Sequence, residues 1–142
     1  MGVIMSRMDY KQNYVKYHQG LFIVLNSKRL PKDQPEINAG KIISEALCEI
    51  PKDQRKLKLP EVLETAMQNY GIVTLTHIEV LFTDYLELDV VRSILNLCRN
   101  RKICCLWPGQ WSDGKLLYAT PEYPEYYECD IKALNDLYII ID

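Results

Sequence analysis

Four groups of residues in this chain could do chemistry. The first is Ala39-Gly40-Lys41, an "AGK" that opens a helical pattern after the apolar run Leu21–Leu25 and a polar loop. Strand, loop, Gly-Lys and helix is the order of parts in a phosphate-binding loop, whose backbone N–H groups wrap a nucleotide's phosphates. The second is His77 and Glu79, in the apolar run "IVTLTHIEVLF". A histidine and a carboxylate on one face of a strand can exchange a proton, or can simply share a structural hydrogen bond. The third is Arg99, Arg101 and Lys102 at the end of a helical pattern, placed either to meet DNA phosphates or to compensate the helix's negative end. The fourth is Tyr123, Tyr126 and Tyr127 in "PEYPEYYECD". Such rings offer broad, rigid area for protein contact, or strap themselves onto the sheet.

The phosphate loop fails on its residues. Aligning G-x-x-x-x-G-K-S/T on Gly40-Lys41 puts Pro35 at the first glycine and Ile42 at the metal-binding hydroxyl. Proline lacks an N–H and the freedom the loop needs, and isoleucine holds no magnesium. At the companion position, an acid ending an apolar strand, stand Thr76 and His77. The expectation is therefore no cofactor, metal or catalytic residue, with ATP and Mg²⁺ as the runner-up ligands. No Gly-x-Ser-x-Gly elbow, HExxH or CxxC is present.

The elements that carry these residues alternate. Tyr10, Tyr14 and Tyr17 follow Met8 at helical spacing, then "LFIVL" reads as a buried strand. "NSKRLPKDQP" is a loop, and Ala39–Glu49 a helix. Pro51 and "KDQRK" close it, and Pro60 opens another helix that Tyr70-Gly71 stops. "IVTLTHIEVLF" predicts one strand, and Asp84 with Glu87 a capped helix start bearing Leu86, Val90, Ile94 and Leu97. "ICCLW", "KLLYA" and "LYIIID" are further strands, with "PGQWSDG" a tight loop. Strands alternating with helices imply a single α/β domain: three layers, a mainly parallel sheet with helices on both faces.

Bulk properties agree. At 142 residues, with 48% apolar and 25% charged side chains, the chain suits one globular domain with a sizeable core. No apolar run is long enough to span a membrane, and the start lacks a signal-peptide core. Five cysteines without CxxC spacing point to a reducing, cytoplasmic compartment. The net charge of −2 is uneven: residues 1–60 carry 11 basic and 6 acidic groups, residues 118–142 carry 1 and 6. The overall acidity disfavours a dedicated DNA binder.

One resemblance covers about residues 36–130, starting with "INAGKIISEALCEIPKDQRKLKLPEVL" as its middle segment. "HIEVLFTDYLELDVVRSILNLCRNRKICCLWPG" followed by "GKLLYATPEYPEYYECD" resembles the second half of the small P-loop proteins of BREX phage-defence systems. The shared series is Leu81-Phe82, Asp89-Val90, Cys98 to Arg101, Trp107 to Gly109 and Leu117 to Tyr126. The departures fall where that family holds its nucleotide: Thr76 for the metal-linked Asp, His77 for Asn, and Tyr123 for His. The resemblance implies a P-loop NTPase-like fold and a bacterial defence role. With both Walker elements degenerate, it implies a non-catalytic accessory or scaffold subunit that contacts other defence-system proteins. ATP hydrolysis at a non-standard site, or DNA contact, is the alternative.

Overall fold

The computed structural model describes all 142 residues. Nine strands and four α-helices follow in chain order: β1 (Val3–Ser6), α1 (Arg7–Asn13), β2 (Gly20–Val24), β3 (Glu36–Asn38), α2 (Ala39–Cys48), α3 (Lys52–Met67), β4 (Ile72–Thr76), α4 (Val90–Leu97), β5 (Lys102–Leu106), β6 (Gln110–Ser112), β7 (Lys115–Tyr118), β8 (Tyr127–Asp130) and β9 (Leu137–Ile141). Six strands form one sheet in the order β1-β9-β2-β5-β4-β3, and every neighbouring pair is parallel. β2 lies inside it with all five residues buried, which is why its sequence is continuously apolar.

Alternate side chains divide that sheet's two faces. Leu21 and Ile23 join Val73, Leu75, Ile103, Cys105 and Ile139 in the larger core, which α2, α3 and α4 cover with Ile43, Leu47, Leu63, Met67 and Ile94. Phe22, Val24, Cys104 and Ile140 face the other way and meet Met5 and Tyr10. That face carries only α1, a 3₁₀ turn at Tyr14–Lys16 and the crossover of residues 25–35. The crossover passes β5 and β4 without an α-helix, and Gln34 fastens it. Gln34 Nε2 donates to Thr74 Oγ1 (3.0 Å), and Tyr14 donates to Gln34 Oε1 (2.9 Å).

Several boundaries differ from the sequence expectations for identifiable reasons. Residues 52–67 are one helix with Pro60 inside it, where a loop and a later start were expected. Its first two turns have no apolar face to read: Leu57 is 80% exposed. They are held instead by the turn at residues 84–87, where Arg55 Nη1 donates to the Tyr85 hydroxyl (3.1 Å) and Lys56 pairs with Glu87. Pro60 is exposed, so the carbonyl its missing N–H leaves free can be hydrated. α4 begins at Val90 with Asp89 as its cap, and Asp84–Leu86 is only a 3₁₀ turn. The strand expected from "IVTLTHIEVLF" ends at Thr76, because His77 turns left-handed (φ 56°) and residues 78–82 coil into a 3₁₀ helix. Neither β1 nor β3 shows in the pattern; each is short and lies at a sheet edge.

β6, β7 and β8 form a separate antiparallel sheet inserted between β5 and β9. Asp113-Gly114, both at positive φ, make the two-residue turn joining β6 to β7. No helix is long and apolar enough to cross a membrane.

Candidate functional site

In open parallel sheets ligands bind outside the carboxyl ends of the strands. Here that edge carries a crevice of about 470 Å³ lined by Ser27, His77, Glu79, Leu106, Trp107, Pro108 and Tyr118. Ser27 follows β2, His77 and Glu79 follow β4, and Leu106 and Trp107 end β5. The left-handed turn at His77 stops the strand and leaves both His77 and Glu79 exposed at the rim. Because Glu79 lies in the following 3₁₀ turn, the pair does not share the face of a strand.

Thr76 fixes the histidine. Its hydroxyl donates to the Ile37 carbonyl (3.4 Å) and lies within hydrogen-bond distance of His77 Nδ1 (3.0 Å). Glu79 enters none of the chain's ion pairs. Tyr118 stacks one ring face on Phe82 (centroids 4.0 Å apart), and its hydroxyl is pushed up from the usual range by burial, then by the Glu79 and Glu125 carboxylates.

The "AGK" does open a helix, but Gly40 serves packing there. A Cβ on Gly40 would lie 2.8 Å from the His77 carbonyl oxygen, so glycine lets α2 start against the end of β4. The first turn is capped from within, Asn38 Oδ1 accepting from Lys41 N at 3.0 Å. The turn after β2 is equally self-contained. Lys28 N donates to Asn26 Oδ1, Arg29 N and Leu30 N donate to the Asn26 and Ser27 carbonyls, and the Arg29 guanidinium holds Asp142 at 2.6 Å.

The three basic residues at the end of α4 do not form one patch. Arg99 is exposed and unpaired, while Arg101 is 16% exposed and acts as a clamp. Its guanidinium donates to the Tyr70 carbonyl beyond α3 (3.0 Å), to the Leu97 carbonyl of α4 (3.2 Å) and to Glu64 (3.2 Å). A cation thus joins the negative ends of two helices. Lys102, only 4% exposed, points through the opposite sheet face, donates to the Tyr14 carbonyl (3.1 Å) and stands 4.0 Å over the Tyr14 ring. Burial lowers its pKa. A polar crevice of about 490 Å³ beside Arg99 and Arg101 is lined by Gln68, Asn69, Asn96 and Asn100, without further cations.

The tyrosines separate in the same way. Tyr123 is 55% exposed between β7 and β8. Tyr126 donates to Glu128 at 2.6 Å. Tyr127 turns inward against Phe82 and Trp107. Its hydroxyl donates to Asp89 Oδ1 (2.6 Å) and accepts from Val91 N (3.1 Å), completing the cap of α4. Trp107 and Gly109 also have structural work: Trp107 Nε1 donates to the Leu117 carbonyl (2.9 Å), and a Cβ on Gly109 would strike that same oxygen. Sequence reasoning missed Ser27, Trp107 and Tyr118 as crevice residues, since the parallel order of β2, β5 and β4 brings the first two together and the end of β7, in the second sheet, supplies the third.

Fold and site together define a parallel α/β domain with a crevice at the carboxyl edge of its sheet. No family model, curated protein or solved structure matches the chain.

Proposed function

We propose that this chain is a non-catalytic subunit of a BREX-type phage-defence complex, acting through protein contacts on a P-loop NTPase-like scaffold. Counted from β2, five strands of the sheet run in the order 5-1-4-3-2 as β9-β2-β5-β4-β3, with one strand between β2 and β4. This order supports the P-loop NTPase-like part of the reading, because it separates the strand before the loop from the strand carrying the acid as such proteins do.

The observation that carries the proposal is the connection after β2. A phosphate loop presents several free N–H groups at the start of a helix. Here residues 25–35 hold only a 3₁₀ turn, with the Lys28, Arg29 and Leu30 N–H groups already bonded, and the loop's helix is missing. At the end of β4, Thr76 stands at the acid's position with its hydroxyl engaged. The groups left for partners are Tyr123 and the apolar β1 edge, where Val3 and Ile4 are 45% and 50% exposed, along with the carboxyl-edge crevice.

Calorimetric titration with ATP, with and without Mg²⁺, tests this. The expected result is no heat and no rise in melting temperature at millimolar ATP. A site of micromolar affinity would add roughly 4 kcal/mol of stabilisation at a thousandfold excess over Kd, and that result would replace the scaffold reading with the ATP-binding one.

A further inference from the structure

The carboxyl-edge crevice has a chemistry opposite to that of a phosphate site. No lysine or arginine lines it. Its acidic group is Glu79, whose carboxylate enters no ion pair, with His77 also in the lining. Tyr118 and Trp107 add aromatic wall, and Leu106 and Pro108 an apolar one. Lys28, next to Ser27, is exposed, but its side chain lies outside the lining. The segment that borders Tyr118 carries Glu122 and Glu125 and no cation until Lys132. One lining backbone, at His77 (φ 56°), is in the left-handed region where side chains rarely sit.

We infer that this crevice receives the guanidinium of an arginine side chain carried by a partner protein. A guanidinium offers five donors in a plane, which meet the Glu79 carboxylate as a fork while its face lies on aromatic surface. An ammonium meets the same acceptors as a point charge without the stacking. A nucleotide phosphate would face Glu79 and no compensating cation. The inference rests on the protein-contact reading and names the chemistry of the contact.

The test uses N-acetyl-arginine amide as probe, followed in amide and indole ¹⁵N spectra of the full chain. N-acetyl-lysine amide, the uncharged N-acetyl-citrulline amide and ATP with Mg²⁺ serve as comparators. The expected result is saturable shifts centred on His77, Glu79 and the Trp107 indole, with affinity near 1 mM, as suits one side chain (roughly 4 kcal/mol). Citrulline and lysine should bind roughly fivefold to tenfold more weakly, and Glu79→Gln, at an exposed position, should weaken arginine binding by about tenfold. No saturable shift up to roughly 20 mM, equal binding of citrulline or lysine, or arginine binding unchanged in Glu79→Gln would each overturn the inference. The ATP arm separates the two levels. Micromolar ATP binding overturns the scaffold reading itself, whereas silence from both ATP and arginine overturns only the arginine site.

Discussion

Removing one hydroxyl, by Tyr127→Phe, separates a structural tyrosine from a contact tyrosine. The ring stays: its packing on Phe82 and Trp107 needs no oxygen. What goes is the donor to Asp89 Oδ1 at 2.6 Å and the acceptor for Val91 N at 3.1 Å. A hydrogen bond to a charged group contributes about 1.5–3 kcal/mol, but Asp89 is half exposed and water replaces part of that. Val91 is fully buried, and its N–H, in the first turn of α4, would lose its only side-chain cap. The two effects together come to about 1–2 kcal/mol, in the range of a lost helix cap. Urea unfolding should show a lower midpoint with unchanged slope, since the surface exposed on unfolding is the same. A double-mutant cycle with Asp89→Ala should give a coupling of about 0.5–1.5 kcal/mol, because the hydroxyl acts through that carboxylate. A destabilisation below about 0.3 kcal/mol, or additive effects of the two substitutions, would refute the cap.

Other substitutions and conditions test the remaining assignments. Gly40→Ala should destabilise by about 1–2 kcal/mol although alanine is the better helix former, because its Cβ would meet the His77 carbonyl at 2.8 Å; an unfolding midpoint at or above the parent's would refute this. Arg101→Met should cost about 2–3 kcal/mol, roughly 1 for each group it clamps, whereas Arg99→Ala should stay within about 0.5. Salt-dependent DNA binding lost in Arg101→Met without a loss of stability would instead make Arg101 a contact residue. Burial pushes the Cys98 and Cys104 thiols up to about 12, and Cys105 further in the same direction. Their folded pKa values are raised, so the stability they lend is complete below the unfolded thiol value of about 8.5 and falls as pH rises toward 12. Each contributes a slope of up to about 1.4 kcal/mol per pH unit, and Cys104→Ala should flatten the loss measured by unfolding at pH 8 to 11.

Much of the fold was written in local pattern. The apolar run "LFIVL" and the β-branched "IVTLT" declared buried strands, and Ile42, Ile43, Ala46 and Leu47 a helix, because burial on both faces or on one stripe leaves a periodic trace. The mismatch to the Gly-x-x-x-x-Gly-Lys-Ser/Thr pattern was legible too, with Pro35 at its first glycine and Ile42 at its hydroxyl position. What left no trace was structure held by partners distant in sequence. The first turns of α3 rest on Tyr85 and Glu87, thirty residues away, and β1 and β3 exist only because β9 and β4 offer them ladders.

The same reason divides the candidate site residues. From sequence, Arg99, Arg101 and Lys102 are three adjacent charges, and Tyr123, Tyr126 and Tyr127 three adjacent rings. Neighbours along a strand point to opposite faces, so the start of β5 sends Lys102 to the α1 face while Arg101 clamps α3 to α4. Tyr127 turns inward at the start of β8, while Tyr123, in the connection before that strand, stays outside. Residue type and spacing determined which groups were available. Only the tertiary structure, by ordering β2, β5 and β4 side by side and bringing the end of β7 in the second sheet against them, decided that Ser27, His77, Glu79 and Tyr118 share one crevice.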